Sequence, residues 1–335
     1  MSDSHVIPFV INTRPICIWD TDIGAINLRF IKGIDSKYFQ FIGDSSFAAL
    51  EGENAKYAAI TLRTTYAHAL ETFFALLGAA LQAPDCVVGW MLQYRNEELN
   101  EVVKKIETND KFLARFNFEC SWQGIAKLIL QGLREQQNFD EIVNGFADSW
   151  RDLAQDFLDP KNRGEYNSLK HGFRIQQGGF SISFGKPGER PFSENATLNE
   201  IIDAEQHMTK LEGSEHGSLY FKAEQFIPGN KFNFRLEHHA LNWNNLFHAR
   251  AIHLLVASIA NVKTFLLAVN GQPLGTLKLE VFKDFSFLHE ARLNSGIGVS
   301  NLSMSHGIHA EGIDSPLTEE DIRNSYKKPK NDSEA

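Results

Sequence analysis

The sequence predicts an α+β protein, a helical bundle flanked by a small antiparallel sheet. Three observations lead to this fold class. Apolar residues recur at helical spacing in two long segments, short alternating apolar runs are separated by turn residues, and the composition is that of a globular protein. Of the 335 residues 43% are hydrophobic and 22% charged, and the 26 Phe, which lack a polar group, indicate a sizeable core.

Residues 1–50 predict a layer of short strands. Apolar runs occupy residues 6–11, 16–19 and 26–31, and Gly24 and Gly33 separate or end them. Short runs of this kind, bounded by turn residues, are typical of β-strands. We therefore expect three short strands or an irregular β layer before the helical part of the chain begins.

Residues 51–172 predict the helical bundle. From Asn54 onward the apolar side chains recur at helical spacing until Pro84 ends the pattern, which predicts a long central helix. A second helix is expected at 85–107 with Asp85 as its N-cap. Further helices are expected at 122–136, at 140–158 and after Asp159-Pro160, the last ending at Gly172 in the C′ position.

Residues 173–302 predict β-hairpins and a long helix that packs back on the bundle. The segments 173–176 and 180–184 form a hairpin pattern around Gly178-Gly179, and 185–198 is predicted to be an exposed loop. Strands are expected at 218–227 and 231–239, a helix at 243–269 and a last strand at 274–282. Residues 303–335 contain few large apolar residues, which predicts a disordered tail. A division into two domains near residue 173 is the alternative.

Charge and composition restrict the class of protein. A net charge of −9 argues against a protein that binds nucleic acid over its whole surface, although a local basic cleft is compatible with this charge. Three Cys at unrelated spacings indicate reduced thiols, and the N-terminus has no signal-peptide pattern. The apolar segment 254–269 is shorter than the roughly 20 residues of a membrane span. We expect a soluble, cytoplasmic protein without membrane contact or cofactor.

The string from Glu165 to Arg174 is the first candidate site. On a helix, Asn167 and His171 stand one turn apart. The segment from residue 159 to residue 190 contains six Lys or Arg and three Asp or Glu, so it is locally basic. An imidazole can act as general base or acid, and cations can hold phosphate. We predict His171, Asn167 and Lys170 as catalytic residues. The predicted substrate-binding residues are Arg163, Tyr166 and Arg174.

The second candidate cluster is Arg63, His68 and Glu71 on the first long helix. This arrangement resembles the HEPN superfamily of helical proteins, whose active members carry an Arg and a His with four to six residues between them. The resemblance covers residues 55–172 and the helix at 243–269. It implies an RNA-binding or RNA-cleaving factor of bacterial stress response or defence that works as a homodimer without a metal.

The chain departs from the family pattern at both clusters. Tyr166 stands where the related Arg-Asn-x-x-x-His frame has its Arg, so Arg163, Lys170 or Arg174 would have to supply the cation. The Arg63–His68 pair has the right spacing but lies early in the bundle, whereas the family motif lies late. In the alternative interpretation the protein is a non-enzymatic interaction or scaffold protein, and the string from Tyr166 to Arg174 only joins bundle to sheet.

The histidines of the later half predict no metal site. His248 and His253 lie about 140° apart on a helix, and the adjacent His238 and His239 point to opposite faces of a strand. The region contains no H-E-x-x-H spacing or similar zinc pattern.

Overall fold

A computed structural model describes residues 6–20, 22–179, 181–184, 209–213, 215–225, 234–273, 278–282, 284–287 and 301–306. These residues form helices and small antiparallel sheets, which confirms the predicted α+β class. In chain order the elements are β1 Val6–Ile11, β2 Arg14–Trp19, α1 Ile23–Gly33, α2 Lys37–Ala48, α3 Ala55–Gln82, α4 Val87–Gln93, α5 Asn96–Glu107, α6 Trp122–Ile129, α7 Phe139–Leu158, α8 Pro160–Lys170, β3 Ile175–Gln177, β4 Ser181–Phe184, β5 Thr209–Gly213, β6 Gly217–Gln225, β7 Phe234–Asn242, α9 Asn245–Val269 and β8 Asn301–His306.

The N-terminal segment contains two of the three predicted strands. β1 and β2 pair as an antiparallel hairpin, but the third expected strand, at 26–31, is part of helix α1. The buried residues Ile23, Asn27 and Ile31 lie four apart, and Asp22 caps the helix by accepting a hydrogen bond from the Ala25 amide. The strand prediction was wrong because a buried polar residue, Asn27, interrupts the apolar period that would have indicated a helix.

The predicted central helix is confirmed as α3, and the predicted late helix as α9. The two pack against each other at the centre of the bundle, and most of the α3 side chains are buried. Helix α9 is long and apolar enough to cross a membrane by length and composition. In the fold, however, 56% of its most apolar window is buried against other parts of the chain. The core helix of a soluble protein has the same composition.

The helix predicted at 85–107 is two helices, α4 and α5. Arg95 adopts an extended backbone between them, and its amide donates to the Glu98 carboxylate at 3.0 Å, which caps the start of α5. The predicted N-cap Asp85 is also wrong, because Cys86 holds that position. The helix predicted at 122–136 ends as α6 at Ile129, and a short 3-10 turn follows.

The larger sheet has the strand order β3-β6-β7-β8, with β6 and β7 antiparallel as predicted. The hairpin expected around Gly178-Gly179 is wrong, because β3 pairs with β6 and β4 pairs with β5. The Gly178 amide donates to the Gly217 carbonyl at 3.0 Å, so the glycine pair continues along the edge of β6 and does not reverse the chain.

Two predictions at the end of the chain need correction. Residues 278–282 are not a strand, because the Asn261 amide of α9 bonds both the backbone nitrogen and the carbonyl of Glu280. The predicted tail is wrong at its start, since residues 303–306 belong to β8, which pairs with β7. The predicted loop at 185–198 and residues 307–335 lie outside the described residues.

A second, smaller core joins the sheet to the bundle. It packs the first turns of α3 and the end of α8 against β3, β6, β7 and the segment between β7 and α9, and its buried members are Ala59, Ile60, Leu169, Ile175, Tyr220, Leu241 and Trp243. The Tyr220 hydroxyl also donates to the Lys161 carbonyl at 3.0 Å. Helix α8, which carries the first candidate site, is therefore held between the bundle and the sheet.

Candidate functional site

A cleft of about 50 Å³ lies among helices α3, α5, α7 and α8. Both α5 and α8 pack against α3 and α7, and the space between them is the cleft. It brings the two candidate clusters together, because Arg63 and Glu71 come from α3 while Arg163, Tyr166 and Asn167 come from α8. The remaining lining residues are Tyr66, Ala67, Leu70, Asn96, Asn100, Asp156, Phe157 and Asn162.

At the inner end of the cleft Arg63 forms a buried ion pair with Glu165. The Arg63 Nη2 lies 2.7 Å from Glu165 Oε2, and Asn162 accepts a further hydrogen bond from the guanidinium at 2.9 Å. Burial is the largest single influence and lowers the pKa of Arg63, but Glu165, Tyr66 and Asp156 together outweigh it, so the pKa of Arg63 is raised. Both side chains are almost fully buried, so the guanidinium is committed to the interior of the protein.

Glu165 and His248 complete this buried network. The second Glu165 oxygen accepts hydrogen bonds from Ser218 and from the Trp243 indole, the latter at 2.7 Å. The His248 Nε2 lies 3.1 Å from Arg63 Nη1, which can only donate, so the imidazole accepts. Burial, followed by the nearby Arg63 charge, holds the pKa of His248 well below its usual value.

At the other end of the cleft Glu71 gathers a second set of polar groups. Lys170 donates to both Glu71 oxygens at 3.1 Å, Tyr94 donates to Glu71 at 3.4 Å, and the Lys170 ammonium also lies over the Tyr166 ring. Burial and then the Glu71 charge raise the pKa values of both Tyr94 and Tyr166. Both phenols therefore stay protonated near neutral pH, and the Tyr94 hydroxyl donates to Glu71.

His68 lies on α3 close to this second group but does not line the cleft. Its ring makes an edge contact with Phe39 at 5.1 Å between centroids. Partial burial lowers the pKa of His68, and the Lys170 charge acts in the same direction while Glu71 opposes it. The five residues from Arg63 to His68 turn the helix by about 140°, so the two side chains of the motif point to different sides of α3.

His171 lies apart from the cleft. Helix α8 ends at Lys170, and His171 is its C-cap, followed by Gly172 with φ of 107° as the predicted C′ glycine. The His171 side chain is exposed, as is Arg174, whereas Asn167 lines the cleft one turn earlier. The structure thus places Asn167, Tyr166 and Arg163 in one site and leaves His171 outside it.

Several groups of the cleft have no partner among the described residues. The Asn100 Oδ1 is buried and accepts no hydrogen bond. Within the described ranges no hydrogen bond or ion pair joins the side chains of Asn96, Arg163 or Asn167 to another residue. Asn96 and Asn100 lie one turn apart on α5, and Arg163 and Asn167 one turn apart on α8. These amides and this cation are the groups that a ligand could engage.

The sequence interpretation assigned no role to Glu165, Asn96, Asn100, Asn162 or Asp156, all of which belong to the cleft or its buried network. For α5 a signal existed, since Asn96 and Asn100 share a helix face. For the Arg63–Glu165 pair there was none, because the two residues are separated by 102 positions and their pairing depends on how α8 packs.

Among the described residues no group of three or more His, Cys, Asp or Glu side chains could hold a metal ion. His248 belongs to the buried network, and His253 lies 2.7 Å from Asp44 between α9 and α2.

Comparison with known proteins gives no match: no protein-family model, no curated protein and no solved structure resembles this chain. The HEPN resemblance therefore stays a prediction from the residues that carry it.

Proposed function

We propose that the protein is a HEPN-like RNA-binding factor, active in the cytoplasm in stress response or defence, which holds a segment of single-stranded RNA at the cleft. One observation carries the proposal: amides and an arginine that have no partner in the described part of the chain lie beside aromatic rings in one cleft. Sequence-specific RNA recognition uses unpaired bases that stack on aromatic side chains and hydrogen-bond along their edges.

The cations of α8 supply the phosphate contacts in this proposal. Arg163 lines the cleft, Lys170 is ion-paired with the lining residue Glu71, and Arg174 is exposed just beyond the helix. A few such cations are sufficient for one RNA segment even though the whole chain is acidic, because only the contacted phosphates need neutralising.

Binding is favoured over cleavage because the acid–base groups are not gathered in the cleft. Arg63 is buried in its ion pair with Glu165, and His171 lies on the exposed cap of α8. General acid–base catalysis needs the imidazole within hydrogen-bond reach of the reacting atoms. The RNA-cleaving version is therefore the less favoured of the two.

Fluorescence anisotropy with a labelled, unstructured RNA oligomer tests the binding proposal. We expect Arg163→Gln to weaken binding and to reduce the slope of log affinity against log salt by about 1, since one phosphate contact is lost. The matched control is Arg134→Gln, at an exposed position outside the cleft, which should bind as the native protein does. Absence of RNA binding by the native protein would contradict the proposal.

Incubation of the native protein with the same RNA separates binding from cleavage. We expect intact RNA after prolonged incubation, analysed on a denaturing gel. Cleavage by the native protein that is abolished by His171→Ala or His68→Ala would show that an imidazole works as acid or base, and the binding-only proposal would be overturned.

A second candidate function is a protein-interaction or scaffold role, including a homodimer. It is favoured by aromatic side chains on the surface of α2, where Tyr38 is 57% and Phe41 68% exposed one turn apart. Light scattering gives the molar mass in solution. A dimer that Phe41→Ser converts to a monomer, in a protein that binds no RNA, would favour this candidate.

A further inference from the structure

We propose that Phe173 is a base-stacking residue, an exposed ring on which one unpaired base of the RNA stacks as the strand leaves the cleft. This inference rests on the proposed RNA-binding function and adds to it a contact site outside the cleft. It is carried by the exposure of the ring, by the left-handed backbone that holds it and by the cations beside it.

Phe173 has a backbone conformation that aromatic residues seldom adopt. Its φ is 54°, in the left-handed region, and within the described ranges the other non-glycine residues with positive φ are Asn12 and Asn109. Asparagine tolerates this region because its short polar side chain can bond the local backbone, which a phenylalanine cannot do. Outliers of this kind persist where the surrounding structure enforces them, and they cluster at functional sites.

The end of helix α8 enforces this conformation. The Phe173 amide donates to the Leu169 carbonyl at 3.3 Å, and the Arg174 amide donates to the Ser168 carbonyl at 2.8 Å. These two bonds satisfy carbonyls that the last turn of a helix otherwise leaves without donors. The bonds explain the turn but not the side chain, because a glycine at position 173 would make them without strain.

The Phe173 side chain contributes little to the interior of the protein. It is 58% exposed, and it belongs neither to the main core nor to the smaller core. Burial of the ring therefore does not offset the strain, as it would at a core position. Single exposed apolar side chains are ordinary on protein surfaces, but here the exposure is combined with an unfavourable backbone.

The residues around the ring indicate the class of ligand. The segment from residue 170 to residue 174 reads Lys-His-Gly-Phe-Arg, is exposed throughout and contains no acidic residue, so it favours an anion. The helix macrodipole also stabilises Lys170 and His171 at this end of α8, but it gives no reason for an aromatic ring. Aromatic rings combined with cations are the pattern that binds single-stranded nucleic acid.

The exposed segment continues the face of α8 that lines the cleft. Arg163 and Asn167 line the cleft, and from Arg163 to Lys170 the helix rises about 10 Å at about 1.5 Å per residue. One RNA strand can therefore contact the cleft and the ring together. Arg174 follows the ring directly, and within the described part of the chain its side chain has no hydrogen bond or ion pair, so it can meet a phosphate.

Phe173→Gly tests the inference, because it removes the ring and the strain together. We expect its affinity for the labelled single-stranded RNA, measured by fluorescence anisotropy, to fall about fivefold or more, the loss typical of one stacked base. We expect its urea midpoint not to fall below the native one, because glycine adopts positive φ without strain. A lower midpoint together with native RNA affinity would show that the ring is structural and would overturn the inference.

Two further variants serve as matched controls. Asn109→Gly makes the same backbone change at a φ of 54°, outside the cleft and α8, and should keep the native RNA affinity. Phe173→Trp keeps an aromatic ring and should bind at least as tightly as the native protein, since stacking needs a π-face rather than phenylalanine itself. Equal losses of affinity in Phe173→Trp and Phe173→Gly would contradict the stacking role.

The dependence of affinity on salt separates stacking from charge. Phe173→Gly should leave the slope of log affinity against log salt unchanged, because no phosphate contact is lost. Arg174→Gln should reduce this slope by about 1. A slope reduced equally in Phe173→Gly would show that the variant acts through the neighbouring cations, and the stacking assignment would be overturned.

The cleft variant distinguishes failure of this inference from failure of the proposed function. Native RNA affinity in Phe173→Gly, together with weakened binding in Arg163→Gln, would overturn the stacking inference and leave RNA binding at the cleft intact. Absence of RNA binding by the native protein would overturn the proposed function, and this inference with it.

Discussion

Glu165 is the side chain that ties the candidate site to the rest of the molecule. A carboxylate without solvent exposure is tolerated only when it is paired and its oxygens are hydrogen-bonded. Arg63 supplies the charge, and Ser218 and Trp243 supply donors from the sheet and from the segment before α9. Glu165 of α8 thereby bonds to α3, to β6 and to Trp243 in the segment between β7 and α9.

We predict that Glu165→Gln destabilises the protein by about 3–5 kcal/mol, the cost of leaving one partner of a buried ion pair uncompensated. Glutamine keeps the acceptor for Trp243 and Ser218, so the substitution removes mainly the negative charge opposite Arg63. Urea denaturation measures the free energy of unfolding. Glu141→Gln, at an exposed position of α7, is the control and should change it by less than about 0.5 kcal/mol. A small effect of Glu165→Gln would mean that Arg63 finds another partner.

His248 makes stability depend on pH below neutrality. Its folded-state pKa lies well below the unfolded value of 6.5 because of burial and the adjacent Arg63. Below pH 6.5 the unfolded chain binds a proton that the folded chain does not, so acid favours unfolding. Above pH 6.5 neither state is protonated at this residue, and its contribution is constant.

We therefore predict that the free energy of unfolding falls as the pH drops below 6.5, with up to about 1.4 kcal/mol per pH unit due to His248. In His248→Gln, which keeps an acceptor for Arg63, this part of the slope should disappear. Urea denaturation between pH 7.5 and 5 measures it. The exposed His171→Gln serves as control and should keep the native slope. Parallel curves for native protein and His248→Gln would disprove the assignment.

Apolar periodicity was sufficient to predict a helix wherever its apolar face is continuous. It was insufficient where a polar residue is buried in the helix, or where the residue that caps a helix is also bound by a distant part of the chain. The α3 pattern predicted the helix because nearly every inward position is apolar. The boundary between α4 and α5 was missed because Glu98 caps α5 and also binds Arg14 of β2 at 2.5 Å, a contact across 84 positions. Local pattern carries no information about such contacts.

The same limit applies to the candidate site. The sequence indicated polar faces on α3 and α8, and the residues Arg63, Glu71, Arg163, Tyr166 and Asn167 do meet in one cleft. His171 lies outside this cleft, because the helical face that it was to share with Asn167 ends one residue earlier, at Lys170. The crossing of α3 and α8 decides which polar residues face each other, and that crossing follows from packing of the whole core.

The contact between α3 and α4 leaves no room for a larger side chain at Gly78. A β-carbon there would lie 2.8 Å from Cη2 of the buried Trp90, closer than atoms pack. We predict that Gly78→Ala lowers the free energy of unfolding by about 1–3 kcal/mol through overpacking. Gly33→Ala is the matched control, because its β-carbon would meet nothing within 4 Å. Equal stability of the two variants in urea would show that Trp90 moves aside without cost.

The molecule as a whole connects its sheet and its bundle through a shared core and shared polar contacts. The smaller core contains residues of α3, α8, β3, β6 and β7, and Tyr220 of β6 bonds the Lys161 carbonyl of α8. A division near residue 173 would separate Leu169 from Ile175 and Tyr220, and Glu165 from Ser218 and Trp243. Either half would then expose apolar surface and a buried charge.

We therefore predict that bundle and sheet unfold together. Pulsed hydrogen exchange with mass spectrometry across a urea titration reports each segment of the native chain separately. Peptides from α3 and from β6–β7 should lose protection at the same urea concentration, because the hydrogen bonds from Ser218 and Trp243 to the buried Glu165 and the smaller core make each part stable only in the presence of the other. In Glu165→Gln both midpoints should shift by the same amount. A sheet that loses protection at lower urea than α3 would instead show two independent units, and the contacts around Glu165 would then contribute too little to couple them.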